Sequence, residues 1–133
     1  MMEKREDALH ERMKVELYAY LRESGWVREC KSEYAINGGL RPDLLCEDDR
    51  YLVAEVKRTT RGLEGPPQLR AYVNELFRRG FRVRKGILAY GSVDRYDLAL
   101  VSEQLDHLSL SKDLEEVEVL EYRGKGEFVR VNP

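Results

Sequence analysis

The chain has 133 residues, 42% of them hydrophobic and 36% charged, with 23 Lys and Arg against 25 Asp and Glu for a formal charge of −2. That is the length of one domain (1–133) with enough apolar residues for a core, and it excludes a disordered segment and a uniformly basic nucleic-acid coat. No apolar run approaches the roughly 20 residues of a membrane helix, and the opening MMEKRED lacks a leader's apolar stretch, so a cytoplasmic protein is expected.

Residues 4–24 have the spacing of a first helix, with Leu9, Met13, Leu17, Tyr20 and Leu21 on one side and Gly25 as a stop. Trp26 to Ile36 reads as a strand ending at Asn37-Gly38-Gly39. Within and beyond it, Cys30 and Cys46 form no CxxC; buried thiols in a reducing compartment are expected, with a disulfide as the alternative. Pro42 to Glu47 and Arg50 to Arg58 flank a polar tip and predict a hairpin. Its second strand carries Tyr51-Leu52-Val53-Ala54, apolar at every position, as in a strand covered on both faces. A loop follows from Thr59 to Gly65. Pro66 and Pro67 are placed to open a helix reaching Arg79 and stopping at Gly80. Arg84 to Tyr90 is a second buried-type strand, and Ser92 is placed to cap a helix to about His107. Glu115 to Tyr122 and Glu127 to Val131, around Arg123-Gly124-Lys125-Gly126, predict a closing hairpin.

One strand carries an anomaly. After its apolar run come Glu55-Val56-Lys57, and residues 55 and 57 of a strand point to the same face. Charges there are costly unless paired or coordinated. The preceding strand begins Arg41-Pro42-Asp43, and a hairpin about the 46–49 tip brings Asp43 to the end where Glu55 and Lys57 sit. Two carboxylates, with the Val56 carbonyl between Glu55 and Lys57, make an oxygen site suited to Mg²⁺ or Mn²⁺. Such an ion activates water and stabilises a phosphoryl oxygen, and Lys57 beside it could orient or deprotonate that water.

Pro42-Asp43 followed by Glu55-Val56-Lys57 resembles the signature of the PD-(D/E)xK phosphodiesterases, the restriction-endonuclease-like superfamily. The resemblance implies an α/β fold with an α-β-β-β-α-β core, a mixed central sheet flanked by helices, here extended by a C-terminal β-hairpin. Gln68-Leu69-Arg70-Ala71-Tyr72 resembles the QxxxY element of the RecB-type nucleases in that superfamily. It implies that Gln68 and Tyr72 assist the metal-site carboxylates, Lys57 or the substrate phosphate. By the same analogy the first helix contributes an acid. Glu6 lies nearest the centre of the apolar stripe and is chosen, with Glu16 second; His10 is expected as a packed or partly exposed histidine, and His107 is given no role.

Between Lys57 and Lys85 lie nine basic residues and two acids, whereas 94–121 holds nine acids and two bases. The near-zero total therefore hides a basic stretch that begins at the proposed catalytic lysine. Arg58, Arg61, Arg78, Arg79 and Arg82 are its expected phosphate contacts. The implied function is an Mg²⁺- or Mn²⁺-dependent deoxyribonuclease that binds DNA without reading sequence, alone, as a homodimer or with a partner protein. The alternatives are an endonuclease of branched DNA resembling the Holliday-junction resolvases, and a non-catalytic nucleic-acid-binding member of the fold.

Overall fold

The computed structural model describes residues 2–36, 39–47, 50–108, 114 and 116–131; for residues 2–7, 62, 107 and 108 it describes the backbone alone. The elements are α1 (Met2–Glu23), β1 (Glu29–Ser32), β2 (Leu44–Glu47), β3 (Tyr51–Thr59), α2 (Gly65–Arg78), β4 (Val83–Ser92), α3 (Arg95–Leu108), β5 (Glu116–Gly124) and β6 (Glu127–Arg130). Among the described residues the strands form one sheet in the order β1-β2-β3-β4-β5-β6. β3, β4 and β5 run parallel, while β1 and β2 at one side and β6 at the other are antiparallel to their neighbours. The first six α and β elements are the expected α-β-β-β-α-β core of a mixed α/β fold, and α3 with the β5–β6 hairpin extends it. Among the described residues no helix is long and apolar enough to cross a membrane.

Burial on both faces explains the apolar runs. Met13, Leu17 and Leu21 of α1, one turn apart, are fully buried against Leu52, Ala54 and Val56 of β3 and Ile87 and Ala89 of β4. On the opposite face Leu69, Val73 and Leu76 of α2, with Val101 and Leu105 of α3, cover Val53, Leu88 and Val119. The helix α2 starts on a glycine for a steric reason: a Cβ at Gly65 would lie 2.7 Å from the hydroxyl of Tyr90 on β4.

Three local expectations are corrected. The strand expected over 26–36 shrinks to β1, because Glu33 adopts φ 49° and turns the chain out of extended geometry while its N–H donates to the Asp43 carbonyl. The cap of α3 is Asp94 rather than Ser92: its Oδ1 accepts the N–H groups of Tyr96 (2.9 Å) and Asp97 (3.1 Å). The segment expected as loop from Thr59 begins later, since β3 continues through Thr59 and a short 3₁₀ turn covers Arg61–Leu63.

The cysteines are not free thiols. The antiparallel register sets Cys30 of β1 opposite Cys46 of β2 with their Cα atoms 3.9 Å apart, and the two form a disulfide. It closes a loop spanning 16 positions that includes Glu33, Arg41 and Asp43. A cross-link of that span restricts the unfolded chain by about 3 kcal/mol in the chain-entropy account. Reduction is therefore expected to lower the urea midpoint by an amount corresponding to about that value, measured with and without reductant.

Candidate active site

The β2–β3 register pairs Leu44 with Ala54, so one step further Asp43 stands opposite Glu55. Both side chains are buried. The Asp43 N–H donates to Glu55 Oε1 at 3.1 Å, and the Val56 N–H donates to Asp43 Oδ2 at 2.7 Å. Within a strand the N–H and C=O of one residue point to the same side, so the Val56 carbonyl also faces the Asp43 edge. Lys57 Nζ lies 3.6 Å from Glu55 Oε2 and 3.9 Å from Glu64 Oε2. The structure thus brings together Asp43, Glu55, Val56 and Lys57, the residues expected from the PD and ExK segments.

The helices hold this pair from both sides. Tyr72 of α2 is buried, and its hydroxyl lies 3.3 Å from Glu55 Oε2 and 3.3 Å from the Arg41 carbonyl, either of which it can donate to. Gln68, one turn earlier, has a buried Oε1 with no hydrogen-bond partner among the described residues. From α1 the contact is His10, whose Nε2 is 3.0 Å from Asp43 Oδ1. The sequence leads to the expectation of a packed or partly exposed histidine at position 10, without a contact to the carboxylates. The available signal was its position three residues before Met13 and seven before Leu17, on the buried side of α1. One turn on, the buried Lys14 ammonium pairs with Glu11 at 2.7 Å and Glu33 at 2.9 Å, so α1 also pins the turn that leads to Asp43. Glu16 is directed elsewhere and accepts a hydrogen bond from the Tyr122 hydroxyl of β5. The side chain of Glu6 lies outside the described residues.

Burial, followed by the neighbouring Asp43 charge and their shared hydrogen bond, pushes the Glu55 carboxyl up to about 8, against the smaller opposing effect of Lys57. Burial also acts to raise Asp43, but hydrogen bonds with His10, Glu55 and the Val56 N–H hold it below the usual carboxylate range. His10 is raised, chiefly by its hydrogen bond to Asp43. The pair therefore holds a proton at neutral pH that a cation can displace.

The basic stretch does not form one continuous face, because α2 carries the chain back to the opposite end of the sheet. Arg58 and Arg61 are exposed beside Lys57 at the end of β3. Arg82 lies at the start of β3, where its carbonyl accepts the Tyr51 N–H at 2.9 Å; six strand residues, about 20 Å, separate that point from Lys57. Arg78 is exposed and paired with Glu75 at 2.8 Å, and Arg79 donates to the Ile36 carbonyl. Lys85 is neutralised by the buried Glu118, 2.7 Å away, beneath the Trp26 ring. Glu118→Gln is expected to cost about 2 kcal/mol of stability in urea unfolding, since it leaves the Lys85 ammonium without its closest counter-charge.

Among the described residues no group of three or more His, Cys, Asp and Glu side chains is arranged to hold a metal; Asp43 and Glu55 supply two carboxylates. No match was found among curated proteins. Among solved structures the chain is similar to one in a CdiA-CT/CdiI toxin and immunity complex from Burkholderia pseudomallei. The identity is 10% and the TM-score 0.42, over 96% of this chain and 87% of that chain. The family model for the endonuclease NucS C-terminal domain matches residues 10–122, from His10 through both site carboxylates to Tyr122 of β5. The chain belongs to this NucS C-terminal domain family of restriction-endonuclease-like nucleases, within the PD-(D/E)xK-like superfamily.

Proposed function

We propose that the chain is a metal-dependent nuclease that hydrolyses DNA phosphodiester bonds, with Asp43 and Glu55 holding Mg²⁺ or Mn²⁺. The observation that carries this reading is the buried pairing of Asp43 with Glu55, whose Oε1 accepts the Asp43 N–H, with Lys57 3.6 Å from Glu55. A hard divalent cation would take the place of the proton that the two buried acids share and balance both carboxylates. The donor set fits such an ion: two carboxylates, the Val56 carbonyl on the same edge, and the unpartnered Gln68 Oε1 one helical turn from Tyr72. When bound, the ion would supply an activated water and neutralise charge developing on the phosphate.

The protein's own groups do the rest. Lys57 orients the attacking water, takes up its proton or balances phosphate charge from the same strand face as Glu55. Tyr72 fixes the Glu55 carboxylate, and His10 and the Val56 N–H fix both oxygens of Asp43, so the ligands are held before substrate arrives. Gln68 and Tyr72 act as the QxxxY pair of a RecB-type nuclease. Glu6, four residues before His10 on α1, is the proposed further acid. Arg58 and Arg61 bind phosphates next to the cleaved bond, while Arg78, Arg79 and Arg82 act at the far end of the sheet, on strand beyond it.

The test is a panel of linear, nicked, circular single-stranded and four-way-junction DNA, with matched RNA, incubated with Mg²⁺ or Mn²⁺ and with Glu55→Gln as control. Cleavage of DNA by the native chain alone supports the reading. Binding without cleavage on every substrate contradicts it and favours a non-catalytic binding role. Cleavage confined to the junction favours the resolvase-like alternative.

A further inference from the structure

A cavity of about 410 Å³ opens on the α2 side of the sheet, apart from the carboxylate pair. Leu45 and Leu76 are part of its apolar lining, and Tyr34, Tyr51 and Phe81 supply rings. Tyr34 and Phe81 are 47% and 39% exposed, so core packing does not account for them. Phe81 and Tyr51 meet edge to face with centroids 5.0 Å apart, a contact that takes up one face of one ring and the edge of the other. Lys31, with its ammonium 5.0 Å from the Tyr34 ring centroid, and Arg79 add two cations, and Glu47 adds one acid. Arg79 also holds the Ile36 carbonyl, which fixes the loop wall against the end of α2.

We infer that this cavity takes one unstacked base of the nucleic-acid strand whose phosphate lies at Asp43 and Glu55; the inference rests on the nuclease reading. Flat aromatic surface over an apolar floor suits any nucleobase, because every base has a π-face. The two cations suit the flanking phosphates, and Glu47 can accept from an exocyclic amine. The volume lies within the range of small-molecule pockets. Position supports the same occupant. Tyr51 and Glu55 are four residues apart on one face of β3, a separation of about 13 Å. A strand stacked at about 3.4 Å per nucleotide covers that in roughly four steps, and an unstacked strand in fewer.

The test measures binding of a fluorescent single-stranded oligonucleotide without divalent ions, so that no cleavage intervenes. The Tyr34→Ala/Phe81→Ala double variant is expected to bind about tenfold or more weakly, and Tyr34→Phe and Phe81→Tyr to bind as the native chain does. With a fully abasic strand the native chain and the double variant are expected to bind equally. A double variant that binds the normal strand at native strength overturns the inference, as it would if the cavity served a protein partner instead. So does an equal loss on normal and abasic strands. Failure of the native chain to bind any strand overturns the nuclease reading and this inference together, whereas native binding that ignores the cavity substitutions overturns this inference alone.

Discussion

Glu55→Gln is expected to give a folded protein that no longer cleaves DNA, with a rate reduced about 10³-fold or more. The amide keeps the shape of the side chain: its one oxygen can still accept from the Asp43 N–H while its NH2 donates to the Tyr72 hydroxyl oxygen, so the main loss is the charge. A divalent ion at a phosphoryl centre stabilises the transition state by several kcal/mol, and each 1.4 kcal/mol is about tenfold in rate. Lys57→Ala removes a proton-transfer or charge-balancing group and is expected to cost about 10²- to 10⁴-fold. Arg78→Ala should change cleavage far less, because Arg78 is paired with Glu75 and sits at the far end of α2. Single-turnover rates at saturating Mn²⁺, with urea unfolding to confirm folding, check all three. Native rates in Glu55→Gln would remove the carboxylate pair from the chemistry.

Without divalent ions the protein is expected to lose stability as pH rises from about 4.5 to 8. Glu55 has an ordinary value of 4.5 and a folded value of about 8, so between them the native state binds more protons than the unfolded chain. Stability therefore falls across that window, on the order of 4 kcal/mol at about 1.4 per unit. His10, also raised, adds the same sign from its ordinary 6.5 upward. Asp43 is lowered and acts oppositely, its contribution being lost only as pH falls below its ordinary 3.8. Urea midpoints taken across the range check this. Mn²⁺ should restore the loss at pH 8, and Glu55→Gln should flatten the profile. A native profile that rises through the window, or an unchanged profile in Glu55→Gln, would contradict the account.

The sequence made one part of the site legible because it depends on local register alone. A short tip between 43 and 55 forces the two carboxylates opposite each other, and the β2–β3 pairing is the consequence. Tyr72 was legible through the resemblance of residues 68–72 to a QxxxY element, on the helix that packs back against the sheet. Contacts set by the angle between α1 and the sheet were not legible: His10 reaches Asp43, and Glu16 reaches Tyr122, through packing that no periodicity encodes. The disulfide depended on the β1–β2 register, which the positive φ of Glu33 and the shortened strand obscured. The charge stretch misled for the same reason. Neighbours in sequence from Lys57 to Lys85 are divided between two ends of the sheet, and Lys85 meets Glu118 of the acidic third, a pairing set by β4 lying beside β5.

A calorimetric titration of Mn²⁺ near pH 7 addresses the central claim, that Asp43 and Glu55 form a divalent-ion centre. The account predicts saturable binding by the native chain with release of protons from the pair, and its loss in Glu55→Gln. Binding in Glu55→Gln with native affinity, or a native chain that takes up no Mn²⁺, would contradict it.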